Sequence, residues 1–387
     1  MPFTKQHFGK FRQRERATER KPIADVIVIG GGLAGLTSAL ACARRGLAVT
    51  MVSGTRSGAA SLASAGVLGP SIGRGPKGGR VGRFMFAARD RYPRYLDELH
   101  ELAGIRVPST TGALELAFNE THLAELRARA ASLPETRVLG ADEVARAEPA
   151  IVSVAGALHH PRDGAVDVAV LLDALAAAIR ATARITVVNA DVQALANASS
   201  LLPNAMITGS TTLAAPAVVI AAGAWTAGIA GLPRALPIVP IKGEVALLSG
   251  TSAVRQVTFG AGGYLVPRGD ELLVGATSED VGFDAIPSAT GAAALETVAG
   301  AVLRGLRGAQ PFTSQRAGLR PMTPDGYPIL GRDPDAPALI YACGYSRNGV
   351  LVSPLAADCV AALAAGEDAP FDLSAFSVAR FGSENRG

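Results

Sequence analysis

The chain has 387 residues, which is enough for two domains of ordinary size. With 49% hydrophobic residues, 18% charged residues and 44 glycines, its composition is that of a globular protein and excludes a disordered one. No apolar run reaches the roughly 18 residues of a membrane-spanning helix, so we expect no integral membrane span.

The positive charge is concentrated at the N-terminus. Residues 1–21 contain seven Lys or Arg and two Glu, a net +5, whereas the whole chain (37 basic against 33 acidic residues) is +4. The remainder is therefore about −1 and offers no basic groove, so nucleic acid is not an expected partner. Residues 1–21 lack the apolar core of a secretory signal. We expect them to form a basic disordered tail, because charged polar termini are usually solvated.

The cysteines are few and far apart. Cys42, Cys343 and Cys359 form no CxxC pair. This pattern is typical of a reducing compartment, which favours a cytoplasmic location, and it predicts no structural metal.

The first elements in chain order form a βαβ unit. Asp25–Ile29 is a short Val/Ile run, typical of a strand that is buried on both faces. Leu36–Arg45 is predicted to be a helix with small residues facing the sheet, and Ala48–Val52 to be the next strand.

The turn between this strand and helix carries the pattern Gly30-x-Gly32-x-x-Gly35. In that context the pattern predicts a dinucleotide site. Gly30 makes the tight turn, Gly32 lets the backbone approach the pyrophosphate, and Gly35 lets helix and strand pack closely. A second match, GRGPKG at 73–78, follows no strand and opens no helix, so it predicts no site.

The sequence after the second strand leaves the nucleotide open. Ser53 stands where such folds usually place an acid that binds the adenosine ribose. Ser53 and Thr55 with Arg56 would suit the 2′-phosphate of NADP; alternatively, Ser53 makes one ribose hydrogen bond and Arg56 is solvated. If the ribose of the dinucleotide is held by this one hydroxyl, Ser53→Glu should tighten the binding of the dinucleotide, and an unchanged affinity would place the ribose contacts elsewhere.

The rest of the chain alternates between helical and strand-rich sections. An apolar helical stripe runs from Val81 to Leu102, and Pro93 is expected to kink or divide that helix. Residues 237–280 are rich in alternating strands, and residues 338–367 are predicted to form a strand, a Gly-rich turn and a helix. The βαβ pieces are separated by a β-rich insert, which implies two interleaved domains.

Several segments, in order, match one family. They are ASLASAGVLGP (60–70), ARDRYP (88–93), TGALELAF (111–118), VVIAAGAW (218–225), YLVPRGDELLVGATSEDVGFD (264–284), AGLRPMTPDGYPILG (317–331) and GYSRNGVLVSPLAADCVAALAAGE (344–367). At this spacing the chain resembles the D-amino-acid oxidase superfamily, and its glycine oxidase branch in particular.

The resemblance implies the fold. It is an α/β fold, with a Rossmann-like FAD-binding domain of the D-amino-acid oxidase type interleaved with an α+β substrate domain built on an antiparallel sheet. We expect residues 22–92, 159–235 and 318–387 to form the FAD-binding domain, and residues 93–158 and 236–317 to form the substrate domain.

The resemblance also implies non-covalent FAD as the cofactor. A reductase that used both FAD and NADP would need a second strand–GxGxxG–helix unit, and the sequence has none. The FAD-binding residues that the pattern and the resemblance imply are Gly30, Gly32, Leu33, Ala34, Gly35, Ser53, Arg56, Ser61, Ala65, Gly66, Val67, Val192, Gly223, Trp225, Asn348, Gly349, Val350 and Leu351.

Three residues are implied to hold the substrate. Arg320 matches the family arginine that binds the substrate carboxylate, as planar bidentate recognition requires; the alternative is an ion pair at a domain junction. Arg347 resembles a second arginine near the substrate, or makes a purely structural contact. Tyr264 resembles a tyrosine whose hydroxyl adds a carboxylate hydrogen bond, or is a core residue.

Other reactive side chains receive ordinary interpretations. His159 and His160 are predicted to be a loop pair, because no third ligand lies at metal spacing. Lys242 is predicted to be a sheet-edge lysine. Two features depart from the glycine oxidase branch. Ser278 stands where the branch tends to carry Met. The loop with Arg74, Lys77, Arg80 and Arg83 is basic where relatives tend to be acidic. The loop is either solvated or attracts an anionic substrate or partner.

The resemblance implies an FAD-dependent amino acid or amine oxidase. It would oxidise a small amino acid or an N-substituted glycine by hydride transfer from Cα to flavin N5, with reoxidation by O2 to hydrogen peroxide, in thiamine thiazole biosynthesis. The alternatives are a dehydrogenase that passes electrons to a quinone or carrier, a non-catalytic flavin-binding module and an NADP-binding reductase. The sequence leaves the oligomeric state open and allows a homo-oligomer.

Overall fold

The computed structural model describes residues 24–72, 78–133, 135–200, 203–207, 211–249, 254–306 and 312–382. The tail predicted for residues 1–21 lies outside the described residues. So do Arg74 and Lys77 of the basic loop and most of the GRGPKG segment.

The first sheet has six strands in the spatial order β17-β18-β11-β1-β2-β7. All of its pairs are parallel except β17 with β18. Its strands are β1 (Val26–Ile29), β2 (Val49–Val52), β7 (Ile185–Val188), β11 (Ala217–Ile220), β17 (Ile329–Arg332) and β18 (Leu339–Cys343).

Both faces of this sheet are covered, as the Val/Ile run at its centre predicts. In β1, Val26 and Val28 belong to one hydrophobic core, and Ile27 and Ile29 belong to another on the opposite face. The first core contains residues of α1 (Leu33–Arg44), α2 (Gly79–Ala103), α5 (Val168–Ala181) and α7 (Gly349–Ala364). The carboxyl ends of the parallel strands are thus held at one rigid edge.

The second sheet has the order β16-β12-β15-β14-β13-β4-β6-β3, with β5 paired to β6, and is antiparallel except for β13 with β4. Its strands are β3 (Val67–Leu68), β4 (Ser109–Ala117), β5 (Arg137–Gly140), β6 (Gly156–Val166), β12 (Val239–Ser249), β13 (Val257–Gly260), β14 (Gly263–Arg268), β15 (Glu271–Gly275) and β16 (Ser314–Met322).

The remaining elements are small. The helices α3 (Glu120–Ala130), α4 (Ala141–Ala147) and α6 (Ala289–Val302) pack on the second sheet. The strands β8 (Val192–Ala196), β9 (Asn204–Ile207) and β10 (Thr211–Ala214) form a third, antiparallel sheet.

Pro93 does not divide α2, so division, one of the two outcomes expected from the sequence, is excluded and a kink stays a prediction. The helix runs unbroken from Gly79 to Ala103. Pro93 itself is exposed, while Tyr92 and Leu99 of the same helix are buried in the first core. Tertiary packing of this apolar face therefore outweighs the local cost of one missing backbone hydrogen bond.

Three predicted domain boundaries fall inside regular elements. The boundary at 92/93 lies within α2, that at 158/159 within β6, and that at 317/318 within β16. β6 and β16 both belong to the second sheet, and the assignment of residues to two domains stays a prediction.

Candidate active site

A cavity of about 1470 Å³ lies between the carboxyl ends of β1 and β2, the second sheet and the start of α7. It exceeds the roughly 300–1,000 Å³ of ordinary small-molecule pockets, so it has room for a dinucleotide together with a substrate. Every residue predicted for FAD or substrate lines it except Gly35 and Leu351. The fold thus gathers residues from the whole length of the chain at one site.

The glycine-rich turn is shaped by close backbone packing. Gly30 has φ +120°, and a Cβ there would lie 2.2 Å from the Ala221 carbonyl oxygen. A Cβ at Gly35 would lie 1.9 Å from the carbonyl oxygen of Gly30. Gly35 therefore lies behind the turn and lets α1 approach β1, which explains why it does not line the cavity.

The start of α1 fits a pyrophosphate. A Cβ at Gly32 would meet only the Ser61 hydroxyl, at 3.5 Å, so this position opens on the cavity. The Leu33 N–H donates to Ser61 Oγ at 3.0 Å, and no acidic residue stands in the first turn of the helix. No acid thus competes for the partial positive charge of the helix N-terminus, which is available to an anion such as a diphosphate.

A cation and an aromatic ring lie at the end of β2. The Arg56 Nε donates to Asp191 Oδ1 at 3.0 Å, and its guanidinium lies 5.7 Å from the centre of the Trp225 ring. Val192, at the start of β8, is buried and lines the same part of the cavity. Asp191 is the residue here that the sequence analysis missed.

The only sequence signal for Asp191 was its place beside Val192. Its relevance depends on β7 pairing with β2, which brings the loop after β7 next to Ser53. Neighbouring strands of a parallel sheet can be far apart in sequence, so the local pattern did not reveal this pairing.

Arg320 lines the same cavity from β16 of the second sheet. Its Nη1 donates to the backbone oxygen of Thr277 at 3.0 Å and approaches that of Lys242 at 3.5 Å. Burial lowers the pKa of the Arg320 guanidinium and the charge of Arg347 lowers it further; among the described residues no carboxylate opposes these effects. The ion pair considered from sequence is therefore absent from the described part of the chain, and the guanidinium is suited to an anionic ligand.

Two glycines make room for the side chains of Arg320 and Tyr264. A Cβ at Gly243, on β12 beside β16, would lie 2.2 Å from Arg320 Cζ. Tyr264 on β14 is paired with Gly275 on β15, where a Cβ would lie 2.3 Å from its ring. The sheet register therefore sets both side chains over bare backbone on the cavity wall.

Tyr264 and Arg347 line the cavity together with Arg320. Burial raises the pKa of the Tyr264 hydroxyl, while the charges of Arg320 and Arg347 oppose the rise. Tyr264 therefore stays protonated near neutral pH and can donate a hydrogen bond. Arg347 is exposed and lines the cavity, just before α7 begins.

The N-terminus of α7 borders the cavity. Asn348, Gly349 and Val350 line it, and no acidic residue stands in the first turn. Ser346, two residues before Asn348, is held at φ +52°, and its hydroxyl lies 3.3 Å from that of Thr323. A second helix N-terminus thus directs partial positive charge into the cavity, and Leu351 lies behind it in the core.

The structure changes the interpretation of three other side chains. Lys242 is not at the sheet edge: it lies on β12, is 3% exposed and pairs with Glu244 and Glu279 at 3.2 Å each. His159 and His160 lie in strand β6 and not in a loop. Their place in a strand was missed because the alternation there is interrupted by Pro161 and two charged residues.

Neither metal ligands nor a reactive thiol is found in the described ranges. Those residues include no group of three His, Cys, Asp or Glu side chains that would hold a metal ion. Cys343 lines the cavity, but burial raises the pKa of its thiol to about 12. A protonated thiol is a poor nucleophile, in keeping with non-covalent FAD.

The comparison with protein families decides the class of enzyme. The family model DAO, described as FAD dependent oxidoreductase, matches residues 25–363. The chain belongs to this family. The predictions of an enzyme, of FAD as its cofactor and of kinship with glycine oxidase are therefore confirmed.

Individual relatives are similar to this DAO-family member in both sequence and structure. The glycine oxidase of Geobacillus kaustophilus is 33% identical over 92% of this chain and 97% of its own, and its crystal structure superposes with a TM-score of 0.85 over 94% and 99% of the two chains. Iminodiacetate oxidase from Chelativorans sp. BNC1 is 28% identical, with a TM-score of 0.82 over 91% and 98%. The predicted fold class is thereby confirmed.

A longer relative is also similar. The bifunctional protein ThiO/ThiG of Synechocystis is 32% identical over 92% of this chain, which spans 54% of that protein.

No helix in the described ranges has the length and apolar character needed to cross a membrane.

Proposed function

We propose that this enzyme oxidises the Cα–N bond of a small amino acid or an N-substituted glycine. The observation that supports this most directly is Arg320, a half-buried guanidinium with no acidic partner among the described residues, beside Tyr264 and Arg347. A carboxylate is the small planar anion that an arginine recognises through two parallel hydrogen bonds. The size of the substrate is limited because FAD takes up much of the cavity.

The chain's own residues would bind and orient the substrate. Arg320 and the Tyr264 hydroxyl would hold the carboxylate, which fixes the position of Cα relative to the rest of the site. FAD, when bound, supplies the acceptor for the hydride that leaves Cα. The α7 N-terminus would favour negative charge on the reduced cofactor, without any acid or base from the protein having to move.

The cofactor roles remain part of the proposal. Gly32, Leu33 and Ala34 would face the diphosphate, while Asn348, Gly349 and Val350 would face the flavin. We further propose that O2 reoxidises the enzyme to give hydrogen peroxide, and that the imine product enters thiamine thiazole formation. The ThiO/ThiG relative supports that last step. The three described cysteines are free thiols, which supports the cytoplasmic location.

Anaerobic bleaching of the flavin absorbance tests the substrate class. The panel would contain glycine, sarcosine, iminodiacetate, D-alanine, D-proline and an acidic amino acid. We expect bleaching by at least one small carboxylate-bearing amine. A flavin that binds but is bleached by none of them would refute the proposal.

Peroxide measurement separates the oxidase from the dehydrogenase. Under air, the oxidase forms hydrogen peroxide in equal amount to the substrate consumed. If the flavin is bleached by substrate but turnover requires a quinone or an artificial acceptor, the enzyme is a dehydrogenase and O2 is not its partner.

A further inference from the structure

A carboxylate from another strand lies where β2 ends. Asp191 follows β7, which is paired with β2, and it lines the cavity with Ser53 and Gly54. A Cβ at Gly54 would lie 2.0 Å from Asp191 Oδ1 and 2.5 Å from its Cγ. The carboxylate is therefore packed directly on the backbone of the residue after Ser53.

The side chain of Ser53 is directed at Gly31. Its hydroxyl oxygen would lie 1.9 Å from a Cβ at Gly31, so it packs against the glycine-rich turn. A single hydroxyl in that place provides at most one weak contact for a ribose, whereas dinucleotide folds usually bring a carboxylate there.

The Arg56–Asp191 ion pair has little value as a stabiliser of the fold. The two side chains are 41% and 38% exposed, and exposed pairs contribute about 0–1 kcal/mol. What the pair does is fix an acid on the cavity wall, with the Arg56 guanidinium held over Trp225. A carboxylate fixed on the wall of a nucleotide-binding cavity can accept hydrogen bonds from the hydroxyl groups of a ligand.

We propose that Asp191 replaces the missing acid after β2 and binds the adenosine ribose of FAD. Its ionised carboxylate, which only accepts hydrogen bonds, would receive them from the vicinal 2′- and 3′-hydroxyls. Gly54 stays small to admit the carboxylate, and Arg56 orients it. The inference rests on FAD as the cofactor, which the family membership shows, and not on the choice of substrate.

The first test is FAD affinity of the apoenzyme, measured by flavin fluorescence. Asp191→Asn should weaken FAD about 10- to 100-fold, the loss that hydrogen bonds to a charged group imply. FMN, which lacks the adenosine, should bind the variant and the wild type equally, and this also shows that the variant is folded. Asp372→Asn, which removes an exposed acid paired with Arg80 outside the cavity, is the matched control and should leave FAD affinity unchanged.

The second test separates ribose binding from the mere support of Arg56. ADP and 2′-deoxy-ADP compete with FAD for the apoenzyme, and the wild type should prefer ADP. Asp191→Asn should lose that preference, whereas Arg56→Ala should keep most of it. If Asp191→Asn retains the wild-type preference, Asp191 does not contact the ribose and the proposal is overturned.

Two neighbouring substitutions give an independent check. Gly54→Ala should weaken FAD in the wild type and have little further effect in Asp191→Ala, because the new methyl group displaces only that carboxylate. Ser53→Glu should not tighten FAD while Asp191 is present, because the two carboxylates repel, but it should recover affinity in Asp191→Asn. Equal tightening in both backgrounds would contradict the proposal.

Discussion

Arg320 is the residue whose removal should separate substrate binding from cofactor binding. It lies on β16 of the second sheet, whereas the glycine-rich turn follows β1 of the first sheet. Arg320→Ala should raise the KM by about 30-fold or more, since loss of a buried charged contact costs about 2–5 kcal/mol. FAD should still bind with wild-type affinity.

Steady-state kinetics and flavin titration on the same preparation check this prediction. Arg162→Ala is the control, because Arg162 is an exposed arginine paired with Asp90 and Glu135 and does not line the cavity. An unchanged KM in Arg320→Ala would mean that the substrate carboxylate is bound elsewhere.

Glu244 should govern part of the stability at acid pH. Burial raises the pKa of its carboxyl, but hydrogen bonds from Ser288 and Gln315 and the ion pair with Lys242 outweigh this, and the pKa lies below its ordinary value of 4.5. The folded state then binds fewer protons than the unfolded state. Its contribution to the free energy of unfolding is complete above pH 4.5 and is lost as the pH falls through the lower folded pKa.

Glu244→Gln should therefore flatten the pH dependence of unfolding on the acid side, and it should lower stability at neutral pH because Lys242 loses a buried partner. Urea unfolding from roughly pH 3 to 7 measures both effects. Glu120→Gln, at a position 78% exposed, should leave the profile unchanged. A profile for Glu244→Gln parallel to that of the wild type would contradict the assignment.

At the scale of elements, the edge pair β12–β16 acts as a platform for Arg320. Gly243→Ala places a Cβ where the guanidinium now lies, at 2.2 Å from Cζ, and should displace it. We expect a KM increase that approaches that of Arg320→Ala, with stability and FAD affinity little changed. A normal KM would show that the guanidinium works from another position.

The matched control for this variant is Gly300→Ala on α6. A Cβ there meets no atom within 4 Å, and alanine is favoured over glycine in a helix by about 1 kcal/mol. This variant should have normal kinetics and an equal or higher unfolding temperature. Kinetics and thermal unfolding of the two variants, measured side by side, separate a local steric effect from a general effect of adding a methyl group.

At the scale of the whole molecule, FAD should couple the two sheets. The cavity is lined by residues of the first sheet, such as Val52, and of the second, such as Arg320. A ligand that binds only the folded state stabilises it by about 2.7 kcal/mol at a free concentration 100 times the Kd. We expect calorimetry with FAD at that concentration to show one transition at a raised temperature, and two separate transitions with only one shifted would contradict the coupling.

Local pattern determined much of this protein. The Val/Ile strand, the Gly30–Gly35 turn and the helix after it follow from side-chain burial and from glycine's small size, both of which act over a few neighbouring residues. The matching segments also identified Arg320, Tyr264 and Arg347, which the fold brings to one cavity. The family comparison confirmed FAD and the fold class.

Tertiary structure decided the rest. Packing of α2 outweighs the local preference of Pro93, and strand order moves Lys242 from an expected edge to a buried ion pair. The pairing of β7 with β2 brings Asp191 to Ser53 across more than a hundred residues of sequence. Burial, strand order and the approach of distant side chains depend on contacts between remote segments, and local sequence patterns do not specify which segments meet.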